Sequence, residues 1–128
     1  MFRELVTANR SYRRFLESET ISRQTLLELI DLARLSPSGA NKQALRYYVS
    51  CDAKQNERVF DALAWAAYFR DWAGPVAGER PSGYIVIVQD QANKMVSGID
   101  YGIAAQTILL GAVEKGLGGC TIGNINKP

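Results

Sequence analysis

The chain has 128 residues, with 15 Lys and Arg against 13 Asp and Glu, and it contains no histidine. This length predicts one domain with its own core, and a composition of 47% apolar and 22% charged residues excludes a disordered or fibrous chain. A formal net charge of +2 argues against general nucleic-acid binding. The lack of histidine excludes Ser-His-Asp and Cys-His catalysis and His-ligated zinc within this chain.

The cysteines and the apolar segments indicate the compartment. Cys51 and Cys120 form no metal-binding motif, and we expect both to be buried, reduced side chains of a cytosolic protein. The N-terminus carries Glu4 early and has no apolar signal segment. The longest apolar stretch, residues 108–113, is too short to span a bilayer. We therefore expect a cytoplasmic protein without a membrane segment.

In chain order, the first half predicts two helices and a strand. Helical spacing of apolar residues predicts a short helix that begins at Phe2. A second helix is predicted between Ser22, a good N-cap, and Pro37, which pushes the preceding residue out of helical geometry. A loop of small and amide residues follows at 36–43, and alternating apolar residues predict a strand over 45–51.

The second half predicts a helix, a central strand, another helix and a third strand. Helical spacing over residues 59–67 continues into a segment of four aromatic side chains, which either stack on a planar ligand or, as is more common at this spacing, belong to the core. Residues 84–88 are apolar on both faces, as in a central strand. A helix over about 95–115 is apolar nearly all round, which indicates a core helix or an oligomer interface. Glycines flank a predicted third strand at 118–123.

This order predicts an α+β or α/β fold with helices on the faces of a sheet. Three strands make a thin sheet for four helices, and residues 124–128 end at Lys127 and Pro128 without a closing strand. We therefore expect a single domain over residues 1–128 that is truncated at its C-terminus.

Two local motifs invite functional interpretations. The glycines at 116, 118 and 119 do not form a dinucleotide-binding motif, because they follow a helix and open a strand rather than the reverse. Arg10 and Ser11 can grip a phosphate, since guanidinium groups match phosphate oxygens bidentately. Composition alone favours a solvated basic turn for this segment, and an RNA-binding surface that uses its interleaved aromatic residues is the least favoured interpretation.

Three segments, taken together and in order, resemble the FMN-dependent nitroreductase family over essentially the whole chain. They are residues 9–15 (NRSYRRF), residues 33–43 (ARLSPSGANKQ) and residues 100–112 (DYGIAAQTILLGA) leading to 116–123 (GLGGCTIG). The resemblance implies an α+β fold with a mainly antiparallel central sheet flanked by helices. It also implies a further helix and strand beyond Pro128.

The resemblance implies a homodimer with FMN at the interface and no catalytic side chain or metal. Arg10 and Ser11 would lie at the FMN phosphate. Arg13 would lie near the pyrimidine end of the flavin, where a fixed guanidinium stabilises the negative charge of the reduced ring. The partner subunit would contribute a loop, and backbone near the flavin N5 would complete the site. The nine cofactor-binding residues are Arg10, Ser11, Arg13, Pro37, Ser38, Gly39, Asn41, Ile122 and Gly123.

The function implied is an FMN-dependent oxidoreductase. It would move electrons from NAD(P)H to a nitroaromatic or quinone-like acceptor by ping-pong turnover, without nucleic acid or membrane as partner. The flavin would carry the chemistry, while the protein supplies orientation and electrostatics. The alternatives are a flavin-binding or sensing protein without turnover and a small RNA-binding domain.

Overall fold

The computed structural model describes the backbone of residues 1–126 and the side chains of 1–92 and 98–126; Lys127 and Pro128 lie outside the described residues. The regular elements are α1 (Phe2–Ala8), α2 (Arg23–Leu35), β1 (Leu45–Ser50), α3 (Ala53–Asp61), β2 (Tyr84–Gln89) and α4 (Lys94–Glu114), with short 3₁₀ turns at Gly39–Asn41 and Gln91–Asn93. β1 and β2 are antiparallel, with Leu45 opposite Gln89 and Ser50 opposite Tyr84. The predicted α+β fold with an antiparallel sheet is confirmed.

The boundaries of α2 follow the predicted signals. The Ser22 side chain accepts a hydrogen bond from the backbone N–H of Thr25 at 3.1 Å, which satisfies one of the unpaired donors of the first turn. The helix ends at Leu35, two residues before Pro37. Its buried residues are Leu26, Leu29 and Ala33. These boundaries place the 36–43 loop at the end of a well-anchored helix.

The core lies between α2, α4 and the inner face of the sheet. Alanine and glycine at the crossing allow the two helices to approach closely; an added Cβ at Gly111 would lie 3.2 Å from Leu29. The buried core cluster comprises Leu29, Ala33, Ala104, Ile108 and Ala112, with Leu32, Leu45, Tyr47, Ile85, Ile87 and Leu117 packed against it. α4 is thus a core helix on one face, as predicted. In the described part of the chain, no helix is both long and apolar enough to cross a membrane.

The prediction of a helix over residues 59–67 is wrong in its boundaries. α3 begins after Asp52, whose side chain caps it at 3.0 Å, and ends at Asp61. Beyond α3 the chain pairs with the C-terminal segment instead of continuing the helix, since Leu63 forms an antiparallel bridge with Ile125. Hydrogen bonding to a distant segment has here outweighed the local helical pattern.

The aromatic segment after α3 divides between core and surface. Trp65 is 6% exposed, whereas Tyr68 is 96% and Phe69 65% exposed. The interpretation of these residues as core therefore holds for Trp65 and is wrong for Tyr68 and Phe69. The reason is that the segment is not helical, so the predicted face does not form.

The predicted third strand at 118–123 is also wrong. In the described part of the chain, this segment forms an isolated parallel bridge, between Ser11 and Gly119, and no extended ladder. Glycine is a weak strand former, and a single bridge does not propagate a sheet. Cys51 and Cys120 are free thiols, as predicted, but both are only half-buried, because each belongs to a surface segment rather than to the core.

Candidate functional site

An open groove of about 500 Å³ lies beside the N-terminal motif. This volume falls within the range of small-molecule sites. Its lining residues are Ser11, Tyr12, Arg13, Arg14, Phe69 and Trp72. Guanidinium groups can hold an anionic group and aromatic rings can stack on a planar one, so the groove suits a ligand that carries both.

The end of α1 presents Arg10 to solvent. The backbone N–H of Asn9 closes the helix on Leu5 at 2.9 Å. Arg10 is exposed, and one of its terminal nitrogens donates to the carbonyls of Asn9 at 2.8 Å and Val6 at 3.3 Å. The Tyr12 hydroxyl donates to the Ala8 carbonyl at 2.9 Å, which ties the segment back onto the helix. Arg10 therefore folds back onto the end of α1, next in sequence to the groove residue Ser11, and its charge is exposed to water.

Arg13 is held more firmly than Arg10. Its side chain is half-buried, and Nε donates to the backbone carbonyl of Trp65 at 3.0 Å. A terminal nitrogen approaches the Ser11 carbonyl at 3.4 Å. Because Trp65 is itself buried, the Arg13 guanidinium is a cation with a defined position in the wall of the groove.

The glycine-rich segment at 118–123 docks against this motif. The Tyr12 backbone N–H donates to the Gly119 carbonyl at 3.1 Å. An added Cβ at Gly118 would lie 2.8 Å from the Tyr12 ring, so only glycine allows this contact. Farther along, Ala64 donates to the Asn124 carbonyl at 3.0 Å. Residues 122–123 therefore lie between two anchored points, one on the N-terminal motif and one on the segment after α3.

The pKa of the Cys120 thiol reflects the contact between this segment and the N-terminal motif. Burial raises the pKa of the Cys120 thiol, whereas the Arg13 charge and a hydrogen bond with Ser11 lower it by smaller amounts. The thiol is therefore less ionised at neutral pH than an exposed cysteine. Its dependence on Arg13 and Ser11 places the 118–123 segment within the electrostatic reach of the basic motif.

The second group of predicted site residues comprises Pro37 and residues of the 38–43 loop that follows it. Three non-glycine residues adopt the left-handed backbone conformation there: Ala40 at φ 49°, Asn41 at φ 53° and Gln43 at φ 50°. The Ser38 hydroxyl accepts the Gln43 N–H at 3.1 Å, and Asn41 accepts from the Gln43 amide at 2.9 Å. Pro37 and Asn41 are exposed, and Ser38 and Gly39 are half-buried.

Asp100 of α4 connects this loop to the core. Its Oδ1 accepts the Gly39 backbone N–H at 2.9 Å. The residue is 4% exposed, and its Oδ2 has no hydrogen-bond partner among the described residues. A buried carboxyl oxygen without a partner is unfavourable, so this site is a place where function can explain the residue.

The structure thus brings the predicted residues into two groups rather than one. Arg10, Ser11 and Arg13 share a surface with the 118–123 segment, and the loop forms the other group. Each contacts α4 at a different position, since Gly39 bonds Asp100 while Gly119 packs on Leu109. Nine residues of helix separate these contacts by about 14 Å. Within residues 1–126 no hydrogen bond joins the two groups.

Comparison with known proteins identifies the family. The model of the nitroreductase family matches residues 6–128. The chain belongs to the nitroreductase family. No curated protein matches it.

Solved nitroreductase structures share this fold. A nitroreductase family protein from Clostridium novyi NT is 28% identical, with a TM-score of 0.77 over 99% of this chain and 72% of that one. An FMN-dependent nitroreductase from Clostridium difficile R20291 is 26% identical, with a TM-score of 0.72 over 96% of this chain and 60% of that one. A nitroreductase in complex with FMN from Desulfovibrio desulfuricans is 20% identical, with a TM-score of 0.69 over 89% of this chain and 63% of that one, and shows the fold alone. The chain therefore spans between 60% and 72% of these three relatives.

The sequence left one residue of the candidate site without a role and the position of two others open. Asp100 begins the segment 100–112 that resembles the family, but the sequence provides no reason to assign it a role. An acidic residue within an apolar helix nevertheless indicates a functional or structural role, because acidic side chains are seldom fully buried unless they are paired. Phe69 and Trp72 belong to the aromatic segment for which ligand stacking is one of two interpretations, and they reach the groove by a non-helical path that local periodicity does not indicate.

Proposed function

We propose that this nitroreductase-family chain binds FMN and transfers electrons from NAD(P)H to a nitroaromatic or quinone-like acceptor by ping-pong turnover. FMN, when bound, supplies the two-electron chemistry, which agrees with a chain that has no histidine. The observation that carries the proposal is the groove in which Ser11, Arg13 and Arg14 face Phe69 and Trp72.

The donor set of the groove fits FMN. No acidic residue is among the described residues that line it, although Glu79 lies 3.7 Å from the guanidinium of the lining Arg14, so Arg13 is the lining cation without an acidic partner among the described salt bridges. In this proposal Arg10 and Ser11 hold the phosphate and the positioned Arg13 faces the pyrimidine edge of the flavin. Backbone at Ile122 and Gly123 would border N5. The Clostridium difficile relative, 26% identical, is FMN-dependent.

We further propose a cytoplasmic homodimer in which the partner supplies Pro37, Ser38, Gly39 and Asn41 to each site. The support is that Ile99 is 76% and Tyr101 47% exposed in a single chain, on the two sides of α4 that flank the buried Asp100. Exposed apolar residues on a helix of this kind favour association. A shared site also explains why the loop and the Arg10 motif form separate groups within one chain.

The first experiment is an absorbance spectrum of the purified protein, followed by FMN titration and thermal unfolding. We expect a flavin spectrum or, for colourless protein, a rise in melting temperature that grows with FMN concentration. NADH and NADPH oxidation with a nitroaromatic acceptor then tests turnover. Colourless protein whose melting temperature does not respond to FMN contradicts the proposal.

A mixed dimer tests whether the site is shared. One differently tagged subunit carries Arg10→Ala and the other Asn41→Ala. If each site combines Arg10 of one subunit with Asn41 of its partner, the mixed dimer contains one intact site and one doubly altered site. FMN titration should then show half of the sites with wild-type affinity. If the two residues act within one subunit, each site carries one of the two changes, and no site should have wild-type affinity.

The two alternatives give different results. A flavin-binding protein without turnover binds FMN but oxidises neither nicotinamide with any acceptor. An RNA-binding domain binds RNA with an affinity that collapses at moderate salt, and it gives no flavin response. The half-buried position of Arg13 and its bond to Trp65 disfavour a freely accessible RNA surface.

A further inference from the structure

We infer that Asp100 is a positioning residue for the flavin site: its buried carboxyl group holds the 38–43 loop in the left-handed conformation that the site requires. The inference rests on the proposed function for its flavin-binding part. The anchoring itself is a property of the chain without any ligand.

The loop needs an external support because its own backbone is unfavourable. Ala40 and Gln43 lie at φ 49° and 50°, where a side chain crowds the backbone. Such conformations persist only when surrounding contacts over-determine them. Most hydrogen bonds of this loop are internal, for example from Asn41 to the Ser38 carbonyl at 3.0 Å and from Lys42 to the Gly39 carbonyl at 3.0 Å. Internal bonds alone do not attach the loop to the core.

Two side chains of α4 make that attachment. Asp100 accepts the Gly39 N–H at 2.9 Å, at the first residue of the 3₁₀ turn that contains the left-handed Ala40. Thr107 accepts from the Ser36 hydroxyl at 3.0 Å, before the strained segment begins. The two positions are seven residues apart and therefore lie on one face of the helix. Of this pair, Asp100 is the one placed to hold the left-handed turn.

The surroundings of Asp100 show through which atom its carboxyl group acts on the loop. The side chain is 4% exposed, and Oδ2 finds no partner among the described residues. A buried carboxyl oxygen without a protein partner is unfavourable, so the described contribution of this side chain comes through its other oxygen. The useful atom is Oδ1, and it acts on the loop through one backbone N–H.

The test compares Asp100→Ala with Asp100→Asn, each with and without FMN. Asparagine retains an acceptor oxygen for the Gly39 N–H, whereas alanine removes it. In the flavin-free protein, we expect hydrogen exchange of the loop amides to be about tenfold faster in Asp100→Ala and within about threefold of wild type in Asp100→Asn. The FMN dissociation constant should follow the same order, with a rise of about tenfold for alanine.

Two further variants distinguish anchoring from general destabilisation. Thr107→Val loses the other attachment of the loop and serves as the matched control, with loop exchange increased no more than its global stability predicts. Ala40→Gly, placed in the Asp100→Ala background, relieves the left-handed strain and should recover part of the lost FMN affinity, by about threefold to fivefold. If Asp100→Ala does not fold, Asp100→Ser replaces it, because the shorter hydroxyl does not reach Gly39.

The outcomes separate the two proposals. If wild type binds no FMN, the proposed function fails, while the exchange experiment still decides the anchor. Unchanged loop exchange in Asp100→Ala, or equal losses in the alanine and asparagine variants, overturns the anchor. Faster exchange with unchanged FMN affinity overturns the positioning role.

Discussion

The groove beside Arg13 and the loop at residues 38–43 differ in how the rest of the chain holds them. The groove is built from exposed or half-buried side chains, and backbone pairing with Gly119 and contacts with Trp65 position its cation. The loop is held in left-handed backbone geometry by a buried carboxyl group. In the groove the side chains carry the ligand-binding chemistry. In the loop, the backbone conformation matters for binding more than the side chains do. A side-chain substitution should therefore have different consequences in the groove and in the loop.

The largest expected effect is at the proposed phosphate site beside the groove. Arg10→Ala should weaken FMN binding by about 10-fold to 100-fold, since a hydrogen bond to a charged group contributes about 1.5–3 kcal/mol. Isothermal titration at low and high salt measures the loss. Arg3→Ala removes an exposed charge from α1, the helix that precedes Arg10, and should leave affinity within about twofold. Equal losses in both variants would show that only overall charge matters.

The next effect tests the docking of the glycine-rich segment. Gly118→Ala places a Cβ 2.8 Å from Cδ2 of Tyr12, and we expect the free energy of unfolding to fall by about 1–3 kcal/mol. Urea unfolding measures the change, and FMN affinity should fall with it because Tyr12 lines the groove. The control is Gly98→Ala, where an added Cβ meets no atom within 4 Å. A fully stable Gly118→Ala would mean that the Tyr12 contact is not tight.

A smaller effect of opposite sign is expected in the loop. Ala40→Gly should raise the free energy of unfolding by about 1 kcal/mol, because glycine adopts φ 49° without crowding. Lys42→Gly provides a matched contrast two residues away, since Lys42 is right-handed at φ −68° and glycine there should be destabilising by about 0.5–1 kcal/mol. Urea unfolding compares the two. If both substitutions destabilise, the loop carries no left-handed strain.

The smallest effect is a change in thiol reactivity. Burial raises the pKa of Cys120, so in a Cys51→Ser background its alkylation should be slow near pH 7 and accelerate as the pH approaches that raised pKa. Arg13→Ala removes a charge that lowers this pKa, and the rate near pH 8 should drop a few-fold, about twofold to fivefold. Arg14→Ala is the neighbouring control, because Arg14 pairs with Glu79 at 3.7 Å. A faster rate in Arg13→Ala would contradict the proposed electrostatic contact.

Local signals predicted much of the fold. Ser22 and Pro37 bracket α2, and alternation in 45–51 identifies β1 to within one residue, because caps and side-chain periodicity act over a few neighbouring positions. The same reasoning failed after Asp61. There, pairing of Leu63 with Ile125 replaced a plausible helix, and that partner lies 62 positions away.

The sequence by itself determined the family, the α+β class and the residue types available for binding an anionic planar ligand. Those properties depend on composition, order and short-range patterns. Only the tertiary structure decided that Phe69 and Trp72 face Arg13, that 118–123 is a docked segment rather than a strand, and that Asp100 holds the loop at Gly39. Each of these features depends on contacts between residues that are distant in the chain. A local sequence pattern does not predict the free energies of such contacts.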